Sequence, residues 1–416
     1  MTMRVRTGLM LMLALATMGP ASCGHYTCRA TFGSSTCAAG APGLGAGGTG
    51  TADAAFVFVA NGTATGSIVG YTLNTSVTPP TLTATANYTA PPTPSRDSGI
   101  GMVVAQKQFL YAAFGSTDQI FGWTISTTGT LSPIQNTPLS ASFASGASTV
   151  FDTPRVITNP AGTLLFIADE VGSQIFVFQI GSGGVLAAVT GSPFPVPFSP
   201  GNMTTDGLGN FLFVTDSSSG HTGSQIGAFS IGTGSSLGVL TTVTGSPFIG
   251  TPFDMWQVKG EPTGKYLIGT KGLSKSVNGL DDDNLYVFSI AQSGAITLLA
   301  PFPTTNSPFS IAVQSNTGGN LVYGFGLDDA GTAFNPAEGF QLSSSGSLSS
   351  VSGSNTGAGD EGQFDQGGGL LFVYGGLLDN GTIVYTVTGF EVAAGALTQP
   401  APSETFGGFW VATDPK

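Results

Sequence analysis

The chain has 416 residues, only 8% of them charged, and a formal net charge of −12. That balance excludes any broad electrostatic attraction to nucleic acid or to anionic lipid, and no basic cluster interrupts it. An apolar content of 41% with 29 phenylalanines excludes a disordered polymer, because there is ample surface to bury.

The first 22 residues read as an export signal. Arg4 and Arg6 supply the positive start, and Leu9 to Met18 forms an apolar run too short to span a bilayer. Removing this segment leaves nine basic residues against 23 acidic ones. Pro20-Ala21-Ser22-Cys23-Gly24 follows, and it is similar to a bacterial lipoprotein signal, in which small residues precede a cysteine that becomes the lipidated N-terminus. That pattern prefers an aliphatic residue where Pro20 stands, and plain secretory cleavage nearby is the alternative. The chain has three cysteines, Cys23, Cys28 and Cys37. With Cys23 lipidated, Cys28 and Cys37 are left to form a disulfide in an oxidising compartment. His25 lies between them and raises a Cys/His metal site, but the spacing fits no zinc pattern.

Residues 38–51, AAGAPGLGAGGTGT, are a flexible tether by composition. The expected division is a signal peptide over 1–22, a lipidated cysteine with a Gly/Ala-rich tether over 23–52, and one domain over 53–416. This places the protein in a bacterial cell envelope, at the periplasm or the outer surface, with a lipid anchor as its membrane contact and a monomer as its expected state.

Within that domain one short phrase returns seven times. Its anchors are Leu82, Leu131, Leu186, Leu240, Ile296, Leu348 and Leu397, at steps of 49, 55, 54, 56, 52 and 49 residues. Six copies read Gly-x-Leu or Gly-x-Ile, starting at Gly129, Gly184, Gly238, Gly294, Gly346 and Gly395. A period near fifty built from short β-type runs predicts a radial array of sheets, because one unit cannot bury both of its faces alone.

Each unit is expected to hold four strands. The second is a near-continuous apolar run, as for a strand covered on both faces: Phe56–Val59, Phe109–Ala112, Leu164–Ala168, Phe211–Val214, Tyr266–Ile268, Leu321–Tyr323 and Leu370–Val373. The third alternates, as in Gln174–Ile180 and Asn284–Ile290. A more polar outer strand follows the Gly-x-Leu turn and twice ends in Gly-Ser-Pro-Phe, at Gly191–Phe194 and Gly245–Phe248. First strands are expected at Ile100–Val104, Arg155–Thr158, Asn202–Thr205, Met255–Val258, Ser310–Val313 and Glu361–Phe364. The missing one reappears at the C-terminus as Phe409-Trp410-Val411-Ala412. The fold expected is thus all-β, a seven-bladed β-propeller of four-stranded blades with the ring closed by the C-terminal strand, rather than an open solenoid with free sheet edges.

At residues 153–178, TPRVITNPAGTLLFIADEVGSQIFVF, the chain resembles the lactonase-like seven-bladed propellers. These include the propeller type of 6-phosphogluconolactonase and surface-layer-type repeat proteins. The resemblance covers all seven units and implies the architecture first. It also implies hydrolysis of sugar lactones as the activity of enzymatic members. Enzymatic members commonly open the first strand with Pro-His and follow it with an Asp-x-Gly turn. Here Pro154-Arg155 and Asp169-Glu170-Val171-Gly172 stand at those places. The chain's two histidines are His25 in the tether and His221 in a loop of the fourth unit. Arg155 and Glu361 are therefore the candidate catalytic pair, one to stabilise an oxyanion and one to act as base. An arginine held by nearby acids is the structural alternative.

The loops entering the first strand and those joining the second to the third share one face. They carry 15 of the 23 acids: Asp97, Asp152, Asp254, Asp360 and Glu361 in the first set, and Asp118, Asp169, Glu170, Asp216, Asp281, Asp282, Asp283, Asp328, Asp329 and Asp379 in the second. Four basic residues oppose them: Arg96, Arg155, Lys271 and Lys275. Aspartate is common in turns because it satisfies backbone N–H groups, which is the plain account of the pattern. The functional expectation is an acidic face that binds a small molecule or a cationic protein partner, with Asp97, Asp254, Asp360 and Glu361 as binding residues. No cofactor is certain; Asp281-Asp282-Asp283 would hold calcium or magnesium through hard oxygen ligands. A binding or interaction protein is the expected function, with a lactonase-type hydrolase as the alternative.

Overall fold

The computed structural model describes residues 55–61, 67–74, 81–89, 100–114, 118–143, 155–217, 225–250, 253–271, 283–314, 320–326, 334–352, 359, 361–364, 370–379, 382–393, 396–398, 404–406 and 411–412. The signal segment, the three cysteines and the tether lie outside the described residues, as do Asp97, Asp152, His221, Asp281, Asp282, Asp328, Asp329, Asp360, Gly395, Phe409 and Trp410. Among the described residues, no helix is long and apolar enough to cross a membrane.

The described chain forms seven antiparallel sheets, numbered in chain order. From the second onward each starts at an inner strand: Ile100–Ala105, Arg155–Thr158, Pro200–Thr205, Gln257–Gly260, Pro308–Val313 and Glu361–Phe364. The first sheet starts instead at its second strand, Ala55–Asn61, and takes its inner strand from the other end of the chain. Val411–Ala412 pairs there, with Val411 opposite Val59 and Ala412 opposite Phe58. Inner strands of successive sheets touch, from Val411–Ala412 through Ile100–Ala105 and onward to Glu361–Phe364. This is a propeller-like, all-β arrangement.

The core is layered between sheets instead of pooled at a centre. Val103, Tyr111 and Ile120 of the second sheet meet Val156, Ile167 and Phe176 of the third. The other faces of the third sheet's strands, through Ile157, Phe166 and Val177, meet Met203, Leu212 and Val214 of the fourth. Equivalent layers join the fourth to the fifth, the fifth to the sixth and the sixth to the seventh. Second strands are packed from both sides, so Phe109–Phe114 and Leu164–Asp169 are buried along their whole lengths, as their apolar runs predict.

Four of the sheets depart from the expected four strands. Their outer strand breaks, and a short segment then returns to pair with the third strand: Leu139–Ser140, Phe194–Pro195, Phe248–Ile249 and Glu404–Phe406. The two Gly-Ser-Pro-Phe phrases are these breaks. Gly191 and Gly245 take φ +89°, and the next serine stands in for the interrupted strand. Ser192 Oγ accepts from the Val177 N–H at 2.9 Å, and Ser246 Oγ from the Ala228 N–H at 2.8 Å. No donor of the third strand is orphaned there.

The Gly-x-Leu phrase is a latch between neighbouring sheets. Gly129, Gly184, Gly238, Gly294 and Gly346 all have φ between +78° and +85°. A Cβ at Gly129 would lie 2.5 Å from Phe56, at Gly294 2.5 Å from Phe211, and at Gly346 2.6 Å from Tyr266. At Gly184 and Gly238 it would meet Phe109 at 2.7 Å and Leu164 at 2.9 Å. In every case the partner sits at the start of the preceding sheet's second strand. Three of these partners are themselves fastened by a side chain at the end of their inner strand. Leu164, Phe211 and Tyr266 donate their N–H groups to Asn159 Oδ1, Asp206 Oδ1 and Glu261 Oε1 at 2.9, 2.7 and 3.1 Å.

Replacing Gly294 by alanine should therefore destabilise the domain by about 2–4 kcal/mol, combining the unfavourable positive φ with overpacking against Phe211. Gly234 is the control: it has φ +60°, and a Cβ added to it would meet nothing within 4 Å. Gly234→Ala should cost only about 1–2 kcal/mol. Urea unfolding of both variants checks the difference, and equal losses would remove the latch.

Candidate functional site

The inner strands bring a set of polar residues to one level. In the third sheet Arg155 lies opposite Ala168, the fifth residue of its second strand. The equivalent pairs are Gly101 with Ala113, Gln257 with Thr270, Ser310 with Phe325 and Glu361 with Tyr374. In the fourth sheet the register shifts between Pro200 and Met203, and Asn202 donates its N–H to Thr215 Oγ1 at 2.9 Å. Arg155, Asn202, Gln257, Ser310 and Glu361 thus occupy one row, at the entry-loop end of the inner strands. Arg155, Asn202, Gln257 and Ser310 are buried.

Strand alternation fixes where these side chains sit. Ile157 packs in the layer shared with the fourth sheet, so Arg155, two residues earlier, lies on that side. Met203 packs against the third sheet, and Asn202 sits beside it within the register shift that follows Pro200, where its N–H is held by Thr215. Gln257 reaches the sixth sheet, where its Oε1 accepts from the Ile311 N–H at 2.6 Å. Arg155 and Gln257 are thus each directed at the next sheet in order.

Two threonine hydroxyls fasten the strand entries beside this row. Thr215 Oγ1 donates within reach of the carbonyls of Asn202 and Trp256, each at 3.3 Å. Thr270 Oγ1 donates to the Phe309 carbonyl at 3.0 Å. Trp256 and Phe309 immediately precede Gln257 and Ser310, and Trp256 and Phe334 pack on the buried Phe309 ring. An aromatic patch therefore adjoins the polar row.

The acids of the same face are largely committed to local work where they are described. Asp169 accepts from the Gly172 N–H at 2.9 Å and from Gln174 Nε2 at 2.8 Å. Asp216 accepts from Gln225 Nε2 at 3.0 Å, so in both sheets the carboxylate closes the mouth of the hairpin. Glu170 accepts from the Ser217 hydroxyl at 2.6 Å, joining the third and fourth sheets. Asp254 pairs with Lys271 at 3.2 Å, and that ammonium also lies 4.8 Å from the centre of the Tyr286 ring. Asp283 accepts from the Ser307 hydroxyl at 2.5 Å. Its companions Asp281 and Asp282 lie outside the described residues, as do Asp97 and Asp360. Among the described residues no group of three potential metal ligands assembles.

Of the residues expected from sequence, the structure sets Arg155 and Glu361 at one level, on the third and seventh sheets. Asp254 stands apart from that row, in the entry loop of the fifth. Asn202, Gln257, Ser310 and Trp256 were not anticipated. A signal for them exists: Arg155, Asn202, Gln257 and Glu361 each precede the start of the next strand, Leu164, Phe211, Tyr266 or Leu370, by the same nine positions. Aligning the repeat on that residue instead of on the Gly-x-Leu turn would have exposed the row.

No protein-family model and no curated protein matches this chain. Solved structures do. A "putative 6-phosphogluconolactonase" from Bacteroides uniformis shares 16% identity at a TM-score of 0.60, over 86% of this chain and 98% of that one. A counterpart from Bacteroides fragilis shares 16% at 0.58, over 86% and 97%. The periplasmic gluconolactonase of Pseudomonas aeruginosa shares 17% at 0.52, over 73% and 83%. At these identities the likeness shows a common fold.

One acid of the face lacks a compensating partner. Asp118 Oδ1 is buried with no hydrogen bond among the described residues. Burial, and secondarily the charge of Asp169, raises its pKa above the ordinary aspartate value. A raised folded-state pKa means stability that is present below the unfolded value of about 4 and lost as pH rises through the folded value. Asp118 also has φ +53°, which asparagine tolerates well. Asp118→Asn should therefore raise the melting temperature at pH 7, and the gain should vanish as pH falls toward 4. Parallel melting curves of the two proteins between pH 4 and 8 check this; a gain independent of pH would refute the charge effect.

Proposed function

We propose that the seven sheets are the blades of a closed seven-bladed β-propeller, and that the entry-loop end of its channel binds a small polar ligand. Closure is supported by the pairing of Val411–Ala412 with Ala55–Asn61, which joins the two ends of the domain. A propeller so closed has no free inner edge at the join, whereas an open one would leave strand donors there without partners. Deleting residues 409–416 should abolish a single cooperative melt or cause aggregation. A truncated domain that melts like the full chain would show that the pairing does not close the fold.

The binding reading is carried by one observation: equivalent register positions of four inner strands hold Arg155, Gln257, Ser310 and Glu361, and Asn202 joins them in the fourth sheet through its N–H bond to Thr215. Packing alone would favour small or apolar residues at a level bounded on both sides by apolar layers. Residues carrying a cation, two amides, a hydroxyl and a carboxylate at one level of the inner strands supply instead the few placed polar groups that a ligand site needs. Its natural ligand is a hydroxylated acid or its lactone, with a carboxylate or carbonyl oxygen for Arg155 and hydroxyls for the amides and Glu361.

A second reading, hydrolysis of a sugar lactone, is favoured by the pairing of residue types at that level. Glu361 can take a proton from water, and the Arg155 guanidinium can stabilise the oxyanion formed when that water adds to the carbonyl. The fold likeness to a periplasmic gluconolactonase points the same way. Calorimetry with gluconate and glucono-δ-lactone, alongside acid release from the lactone, separates the two readings. Binding should weaken at least about tenfold, roughly 1.4 kcal/mol, in both Arg155→Lys and Glu361→Gln. Acid release above the spontaneous rate, lost in Glu361→Gln, would establish the hydrolase. Affinities untouched by either change would remove the site.

A further inference from the structure

We propose that Asn202 and Trp256 form a specificity subsite that selects a ring-shaped ligand over its open-chain form; this rests on reading the polar row as a ligand site. Asn202 is buried to 6% exposure, yet its Oδ1 accepts no hydrogen bond among the described residues. A buried amide oxygen left in that state costs free energy that a donated O–H or N–H from a ligand would recover. Its neighbours in the row are polar positions, and its backbone is tied through the Thr215 hydroxyl to that of Trp256 in the fifth sheet.

Asn202 and Trp256 are held together by one group. Thr215 Oγ1 accepts from the Asn202 N–H and lies 3.3 Å from both the Asn202 and the Trp256 carbonyl oxygens. The two residues thus flank a single threonine at the entrances of adjacent inner strands. Trp256 is only half-buried, and its indole leans on Phe309, which is itself fixed by the Thr270 hydroxyl on the Phe309 carbonyl. The result is a supported aromatic side chain on a residue whose backbone shares one threonine with that of the residue bearing the unsatisfied acceptor.

That pairing has a definite complement. A planar aromatic surface takes the flat apolar face of a ring, whose C–H groups meet the negative π-face. An acceptor beside it takes a hydroxyl on the ring's edge. A flexible open-chain polyol carries the same hydroxyls but presents no flat face, and it would lose more conformational freedom on binding. A site built around a hydrogen bond also rejects analogues that lack the donor, because its own polar group is then left unpaired.

The experiment compares methyl β-glucoside with sorbitol, and glucono-δ-lactone with gluconate, by calorimetry on the full-length protein. The ring forms should bind at least about tenfold more tightly than their open-chain partners. Trp256→Ala should erase that preference and Trp256→Phe should keep it, since phenylalanine retains a flat face. Asn202→Leu should weaken the ring forms, while Asn202→Asp, which keeps the acceptor oxygen, should bind them better than Asn202→Leu does. Melting curves identify any variant that fails to fold, and the conservative partner then decides. Equal affinity for ring and open-chain probes, or a preference unmoved in Trp256→Ala, overturns the subsite. If Arg155→Lys still weakens both probes in that case, the ligand site itself stands. If no probe binds, the subsite and the site fall together.

Discussion

The structure depends on one recurring contact, the close approach of a positive-φ glycine to a residue at the start of the preceding sheet's second strand. Five sheet pairs share it, at Gly129, Gly184, Gly238, Gly294 and Gly346. Any side chain at these points would push neighbouring sheets apart, and each sheet needs its neighbour to cover an apolar face. The partner's position is set in turn from below. Asn159, Asp206 and Glu261 each use a side-chain oxygen to hold the N–H five residues on, which is the latch residue itself. Glu261 shows how far this goes: fully buried, it also accepts from the Thr263 and Lys265 N–H groups and from Asn320 Nδ2. That last bond crosses to the sixth sheet. A turn within one sheet thereby sets the spacing between two.

Much of this was legible in the chain. The Gly-x-Leu period located the third-to-outer turns, and apolar runs located the second strands, because burial on both faces leaves a strong compositional trace. Arg155–Thr158 and Glu361–Phe364 were bounded correctly from sequence, and the pairing partner of the C-terminal strand was inferred from a missing element. The broken outer strands were not legible. A break looks like a turn in sequence, and only the return of Phe194 and Phe248 to the third strand shows that the sheet resumes. The fifth inner strand was placed two residues early, at Met255, because Met255 and Trp256 are apolar, although the ladder begins at Gln257. Trp256 belongs to the rim, not to the strand's buried stretch.

The polar row was hidden for a related reason. Periodicity reveals positions where the units agree, and the polar row is a position where they differ: glycine, arginine, asparagine, glutamine, serine and glutamate by turn. Charge drew attention instead to the loop acids. Several of those prove to close hairpins, as Asp169 does with Gln174 and Asp216 with Gln225. Aspartate at a strand end followed by glutamine at the next strand's start is a local bonding pattern, and its recurrence raises the acid count of the face without any ligand being involved.

The two ends of the inner strands are thus unlike in a way that bears on where a ligand can be held. At the turn end, Asn159, Asp206 and Glu261 spend their oxygens on backbone N–H groups of their own sheet, and such a network has little left to offer. At the entry end, the carbonyls of Asn202, Trp256 and Phe309 are met by the Thr215 and Thr270 hydroxyls. Gln257 uses its oxygen to reach the next sheet, but Asn202 Oδ1 has no such acceptor duty fulfilled among the described residues. Saturation at one end gives rigidity, and incomplete saturation at the other gives capacity for recognition. A scaffold locked by glycine latches can carry that cost, because the energy holding the sheets together resides in the apolar layers and the turn-end bonds rather than in the row. The residues at this level are therefore free to vary in chemistry while the backbone that positions them stays fixed.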